Sequence, residues 1–334
     1  MSLLIAIQAT LPFPAEYRDD VKAVMKFMFT EDFDHADSVA KQVKSELPDS
    51  PLGGILRLAS LEFYMTDWST DERVDEFMSE YDAANEMCRK AIDETEGAEK
   101  AKWHMFRGAV VGFKAVHYAR RYQEKTNVLR ALKYAKEALD EFGRAYDLDS
   151  TLYDCYLAMG LYDLAISYMQ KKIPWLSSEN RKKSGMAKLS IAMEKSDLFK
   201  PLAMMAYVYV YMYEDNPDLA LQYLGFLKTM YPNSRTLAWL ELDVYLENER
   251  WYYGQQTAEN LLATLEKKQP NCYVNQAEAH IAIARCWYHL GDADDAREHL
   301  DLAKALLDKQ TDENHAGAVK KIRSKLSDAE KEMK

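Results

Sequence analysis

The feature that most constrains this chain is a recurring spacing of small residues. Counted from Ala277, small or apolar side chains fall at Ile283, Ala284, Trp287, Gly291, Ala296, Leu300 and Ala303, positions 7, 8, 11, 15, 20, 24 and 27 of a frame. Residues 201–234 repeat it, with Tyr207, Val208 and Tyr211 at 7, 8 and 11, and Ala220, Leu224, Leu227 and Pro232 at 20, 24, 27 and 32. Residues 17–50 place Phe27, Phe33, Ala36, Ala40, Val43 and Pro48 at 11, 17, 20, 24, 27 and 32. From Arg235, Trp251, Gly254, Ala258 and Leu261 take 17, 20, 24 and 27. From Tyr153, Tyr156 and Gly160 take 4 and 8, and a second helix over 178–196 carries Gly185, Leu189 and Ala192 at the 20/24/27 spacing. Small residues at 8 and 20 let two helices approach closely, and a glycine near 15 suits the turn between them. A unit of this size cannot bury its apolar face alone, so such units stack.

Two units are less regular. Residues 51–95 give a first helix to Trp68, then an acidic insertion and a second helix starting at a capping box, Ser69-Thr70-Asp71-Glu72. Residues 100–150 give two long helices, roughly 100–124 and 127–148. Residues 312–334 carry Val319, Ile322, Leu326, Ala329 and Met333 in one narrow stripe, which suits a terminal cap facing water.

The frame resembles the tetratricopeptide repeat (TPR), a helix-turn-helix unit. The expected fold is all-α: a right-handed α-solenoid of about seven TPR-like antiparallel helix pairs plus a C-terminal capping helix. Residues 16–310 form the array and 311–334 the cap. Residues 1–15 read either as a frayed apolar lead-in or as the remnant of a signal segment with Ala9 at its small-residue site. Four short runs are similar to a group of bacterial, often exported TPR proteins. They are Glu31-Asp-Phe-Asp-His-Ala-Asp-Ser38, Asp154-Cys-Tyr-Leu-Ala-Met-Gly-Leu-Tyr-Asp163, Lys171-Lys-Ile-Pro-Trp-Leu-Ser177 and Met230-Tyr-Pro-Asn-Ser-Arg235. This resemblance implies a periplasmic or cell-envelope location, with the cytoplasm as the alternative.

Composition narrows the function classes. Only 12 glycines and 9 prolines argue against collagen-like, disordered and turn-dense β folds. The net charge of −11 argues against nucleic acid or an anionic membrane as the main partner, because both select clustered positive charge. No apolar run is long enough to span a bilayer. Cys88, Cys155, Cys272 and Cys286 form no CxxC pair. No nucleophile elbow, phosphate loop or dinucleotide fingerprint occurs, so no reaction, metal or cofactor is expected.

Several clusters invite a sharper reading. Cys272, His280, Cys286 and His289 are close in sequence but lack zinc spacing, and packing explains them better. Asp67, Asp71, Glu72, Asp75, Glu76, Glu80 and Asp82 face a single Arg73 and read as a solvated acidic face. Glu214-Asp215 and Arg181-Lys182-Lys183 read as solvated turn and helix-start charges. In the series Tyr207, Tyr209, Tyr211, Tyr213, the helical frame packs the first and third rings between helices and turns Tyr209 and Tyr213 to the concave side.

In TPR proteins the concave face is lined by first-helix positions 2, 5, 9, 12 and 13. The resemblance carries these onto Leu202, Met205, Tyr209, Met212 and Tyr213, then Thr236, Trp239, Asp243, Leu246 and Glu247, then Glu278, Ile281, Arg285, Tyr288 and His289. A protein or peptide partner anchoring on Tyr209, Tyr213, Trp239 and Tyr288 is the expected ligand. The alternative is a structural accessory subunit of an envelope or enzyme complex, its groove filled by the N-terminal segment or by the long helices of the third unit.

Overall fold

The computed structural model of the chain describes residues 13, 15–121, 125–170, 179–196 and 199–333. The lead-in at 1–12 and the run Lys171–Ser177 therefore lie outside the described residues. The rest forms seven antiparallel helix pairs: α1 (Arg18–Phe29) with α2 (Phe33–Glu46), α3 (Leu52–Asp67) with α4 (Val74–Glu94), α5 (Gly97–Arg120) with α6 (Lys125–Leu148), α7 (Cys155–Gln170) with α8 (Glu179–Lys195), α9 (Lys200–Tyr213) with α10 (Pro217–Met230), α11 (Arg235–Glu247) with α12 (Trp251–Lys268), and α13 (Tyr273–Leu290) with α14 (Ala293–Lys309). A final helix, α15 (Ala316–Glu332), packs on both α13 and α14. There is no strand among the described residues.

The small-residue frame is what the pairs are built on. Ala36, Ala220, Ala258 and Ala296 are all buried between helices. A Cβ on Gly160 would lie 3.0 Å from the Gly185 carbonyl oxygen, and one on Gly185 would lie 2.7 Å from Leu164 Cγ, so α7 and α8 cross closer than alanine permits. Helix starts are set locally. Asn216 Oδ1 accepts from Leu219 N at 3.3 Å ahead of Pro217, Ser234 Oγ accepts from Leu237 N at 3.3 Å, and Asp292 Oδ1 accepts from Asp295 N at 3.1 Å. Gly291, at φ 96°, closes α13 in the left-handed region.

The second unit departs from the capping-box expectation. Helix α4 begins at Val74, and its cap residue Arg73 makes no side-chain cap bond. Thr70 Oγ1 instead accepts from Glu72 N within a turn, while Asp71 N donates to the Asn314 carbonyl at 2.8 Å. A partner some 240 residues downstream holds this turn out of the helix.

That contact belongs to a seam the repeat frame does not foretell. In a simple solenoid each unit touches only its neighbours. Here the first two units meet the last three. Phe29 stacks on Tyr231 at 4.5 Å between ring centres. Ser234 Oγ and Thr236 N both donate to Glu31 Oε1 at 3.1 Å. Arg235 grips Asp67 with Nε at 3.1 Å and Nη2 at 2.6 Å. Gln269 Nε2 adds a bond to Asp67 Oδ2 at 2.7 Å, Asn275 Nδ2 donates to the Asp67 carbonyl at 2.7 Å, and the Cys272 thiol donates to the Trp68 carbonyl at 3.2 Å. The first two units are thus packed directly against the last three.

The acidic stretch from Asp67 to Asp82 is a solvated face only in part: Glu72, Asp75, Glu76 and Asp82 are exposed, whereas Asp67, Asp71 and Glu80 are drawn inward. The side chains of Asp67 and Glu80 are buried, and their cations lie on other helices: Arg235 at the start of α11 for Asp67, and Arg57 on α3 and Lys44 on α2 for Glu80 at 2.7 and 2.6 Å. Asp71 is shared by Arg120 and Arg121 at 3.0 and 2.6 Å. Glu214 is likewise paired, with Lys182 at 2.6 Å. Counting charges along the chain missed partners brought in by the fold.

Candidate concave binding face

Helices α9, α11 and α13 are the first helices of successive units, and α15 continues their row. On α9 the four tyrosines divide as their spacing predicts. Tyr207 is buried and stacks on Tyr223 at 4.8 Å and on Tyr211 at 6.0 Å. Tyr209 and Tyr213 are 48% and 53% exposed. Leu202, Met205 and Met212 are half-buried and pack against the main core, whereas the two tyrosines stay about half exposed.

Helices α11, α13 and α15 enclose a hollow of about 340 Å³. Its apolar wall is Trp239, Leu242, Leu246, Ile281, Ala282 and Ala329, and its polar wall is Asp243, Glu247, Glu278, Arg285, Lys325, Asp328 and Glu332. Seven of the sequence-derived concave residues meet here: Trp239, Asp243, Leu246, Glu247, Glu278, Ile281 and Arg285. Ile281 belongs to the floor, since it is also part of the buried core.

Helix α15 ties itself to α13 across the hollow. Lys325 Nζ meets Glu278 at 2.6 Å, and Glu332 accepts from Arg285 Nε at 2.9 Å and pairs with His289 Nε2 at 2.7 Å. Partial burial alone would raise the Glu332 pKa, but these two hydrogen bonds outweigh it and hold the carboxyl below its usual range. The His289 ring also lies flat on Trp251 at 3.9 Å, with the Arg285 guanidinium 5.9 Å from the same indole. His289 and Arg285 are therefore parts of the clamp that seats α15.

Asp243 behaves differently. It is open to solvent yet walled in, and its pKa is pushed up to about 6. Withdrawal from bulk water is the largest cause; Glu278 and Glu247 add to it, and Lys325 and Lys321 oppose it. The phenol of Tyr209 stands close enough to feel the Asp243 charge, which together with burial raises its own pKa.

Tyr288 does not join the others. It lines a separate hollow with Ala293, Arg297, Leu300, Asp301, Glu330 and Met333, between α13, α14 and α15. Thr236 is drawn into the seam through its backbone N–H. The part of the face that the repeat frame did not supply is α15. Its row Lys325, Asp328, Glu332 was legible only as polar positions flanking the stripe Ile322, Leu326, Ala329.

The Cys/His residues of the last units are dispersed. Cys286 is buried against Gly254, whose added Cβ would lie 3.2 Å from its sulfur. His280 Nδ1 faces His299 Nδ1 at 2.8 Å, Cys272 serves the seam, and His289 serves the clamp. Among the described residues no three His, Cys, Asp or Glu side chains are placed to share a metal, and no helix is long and apolar enough to cross a membrane.

No family model matches the chain, and none of the curated proteins does. The narrower resemblance to bacterial exported TPR proteins gains no support from these comparisons. Among solved structures, the chain is similar to a human IFIT1 dimer with PPP-AAAA, at 14% identity over 82% of this chain and 69% of that one, with a TM-score of 0.38. It is also similar to IFIT1 monomeric mutants with m7Gppp-AAAA and with Gppp-AAAA, each at 12% identity over 89% of this chain and 72% of the other, with TM-scores of 0.36. Those structures carry AAAA ligands with triphosphate or cap groups, so the expectation that excluded nucleic acid is withdrawn. Its physical weakness is plain in the fold. Net charge averages over a whole surface, whereas four cations, Arg120, Arg121, Lys320 and Lys321, gather beside Asp71 and Glu313 in one hollow at the start of α15 despite the overall excess of acid.

Proposed function

We propose that this protein is a non-catalytic helical-repeat scaffold that receives a segment of a partner protein on the concave face formed by α9, α11, α13 and α15. The observation that carries the reading is the exposure of two tyrosines, Tyr209 and Tyr213, about half open on one helix whose other concave side chains are packed on the core, with Tyr209 near Asp243 of the walled hollow. Large rings held out of the core on a rigid support are the usual anchors of an interface. The test is a benzophenone photocrosslinker placed at position 213 and, as a control, at position 252 on α12, in the protein's native host. Partner peptides captured at 213 and absent at 252 are the expected result. Equal capture at both positions, or none at 213, removes this face as the binding surface.

The accessory-subunit reading keeps one supporting observation. The last unit's first helix is covered in part from within the chain, where α15 is clamped over α13 by Lys325 and Glu332. The covering element is the cap, and Tyr209 and Tyr213 stay half-exposed.

A further inference from the structure

The concave hollow carries an imbalance of charge that its own residues do not correct. Five carboxylates line it against Arg285 and Lys325. Three of the five are engaged: Glu278 by Lys325, Glu332 by Arg285 and His289, and Asp328 by Lys331 at 2.9 Å. The other two, Asp243 and Glu247, make no hydrogen bond and no ion pair within 4 Å among the described residues. They lie one helical turn apart on α11, near its C-terminal end, where the helix dipole also disfavours negative charge. The indole of Trp239 lies a turn before Asp243 in the same wall, and Tyr209 stands close to Asp243 from α9.

A carboxylate pair with no counter-ion beside the part-buried indole of Trp239 is an arrangement that receives a cation on an aliphatic stem. The carboxylates bond the head group, the ring face attracts it, and the apolar wall covers the stem. We propose that the hollow between α11, α13 and α15 binds an arginine or lysine side chain of a partner protein segment, with Asp243 and Glu247 as its counter-ions and Trp239 as its aromatic wall. This rests on the concave-face reading above and names the chemistry of its ligand. The direction of the Asp243 shift agrees with it, since a carboxyl crowded by Glu247 and Glu278, and only partly offset by Lys321 and Lys325, gains most from one more positive charge.

The probe is a fluorescein-labelled, end-capped octapeptide of alternating arginine and leucine, followed by anisotropy. Its control carries glutamate in place of arginine. Preferential binding of the arginine peptide is expected, weakened at least 10-fold in the Asp243→Asn/Glu247→Gln variant and weakened again as pH falls from 7.5 to 5.5. The sign follows from the residues: burial, Glu278 and Glu247 hold the Asp243 carboxyl up at about 6 against the pull of Lys325 and Lys321, so acid protonates Asp243 and removes negative charge from the hollow. Both substituted residues are exposed, so the double variant should melt no lower than the parent. Three outcomes overturn the proposal: equal binding of the two peptides, no loss of affinity in the double variant, or displacement of the peptide by spermidine or by 5′-triphosphorylated tetra-adenylate with the same dependence on Asp243 and Glu247. Should the peptide fail while the crosslinker at 213 still captures a partner segment, the cation site falls and the concave-face reading stands.

Discussion

Replacing Arg235 by methionine tests the packing of the first two units on the last three most directly. The guanidinium lies between two buried carboxylates. Side-chain exposures are 9% for Arg235, 4% for Asp67 and 2% for Glu31, with Arg235 Nη1 3.9 Å from Glu31 and the bidentate grip on Asp67 at 3.1 and 2.6 Å. Methionine keeps most of the stem's packing and removes the charge. Burial already pushes the carboxyls of Asp67 and Glu31 up, against the pull of Arg235. Losing one partner of a buried pair costs about 3–5 kcal/mol, because the remaining charge is left uncompensated. Adding Asp67→Asn removes that charge as well, so the double variant should recover a large part of the loss. Urea unfolding followed by circular dichroism measures both. Small-angle scattering at zero urea should show a larger radius of gyration for Arg235→Met alone, since the first two units would part from the last three. A cost below ~1 kcal/mol with no recovery in the double variant, and unchanged scattering, would show that the seam does not hold these units together.

Two further outcomes follow from other residues. Glu31 has its pKa raised to about 7, chiefly by burial and further by Asp67, with Arg235 and the bonds from Thr236 and Ser234 opposing. The folded state therefore holds a proton between about pH 4.5 and 7 that the unfolded chain has released, so stability falls as pH rises through that window, by up to about 3 kcal/mol at pH 8. Glu31→Gln keeps the acceptor for Ser234 and Thr236 and should melt higher than the parent at pH 8, with the two curves converging at pH 5; a difference independent of pH would refute this. Ala296→Leu, at a buried position between α13 and α14, should overpack the last pair and lower stability by roughly 1–3 kcal/mol in thermal melts, whereas an unchanged melting temperature would mean the pair is not closely packed there.

The sequence by itself determined about seven helix pairs, the cap and, in the regular units, which small residues lie between paired helices. Those facts rest on short-range physics. Small residues at fixed offsets set how closely α7 and α8 cross, Asn216-Pro217 and Ser234 start helices where they stand, and the stripe through Ile322, Leu326 and Ala329 admits only one buried side on α15. The same spacing separated Tyr209 and Tyr213 from Tyr207 and Tyr211, because residues four apart share a helix face wherever the helix lies. What depended on residues far apart was decided by the tertiary structure. Asp67 looked solvated because its partners Arg235, Gln269 and Asn275 lie roughly 170 to 210 residues away, and no local pattern states which distant units meet. The start of α4 moved from Ser69 to Val74 because Asn314 holds the Asp71 amide. His289 and Arg285, legible as concave residues, became a clamp for α15 once Glu332 arrived beside them. Asp243 and Glu247 were left as the carboxylates without a partner because a charge's surroundings depend on every element that packs near it, and the frame of one helix carries no record of the others.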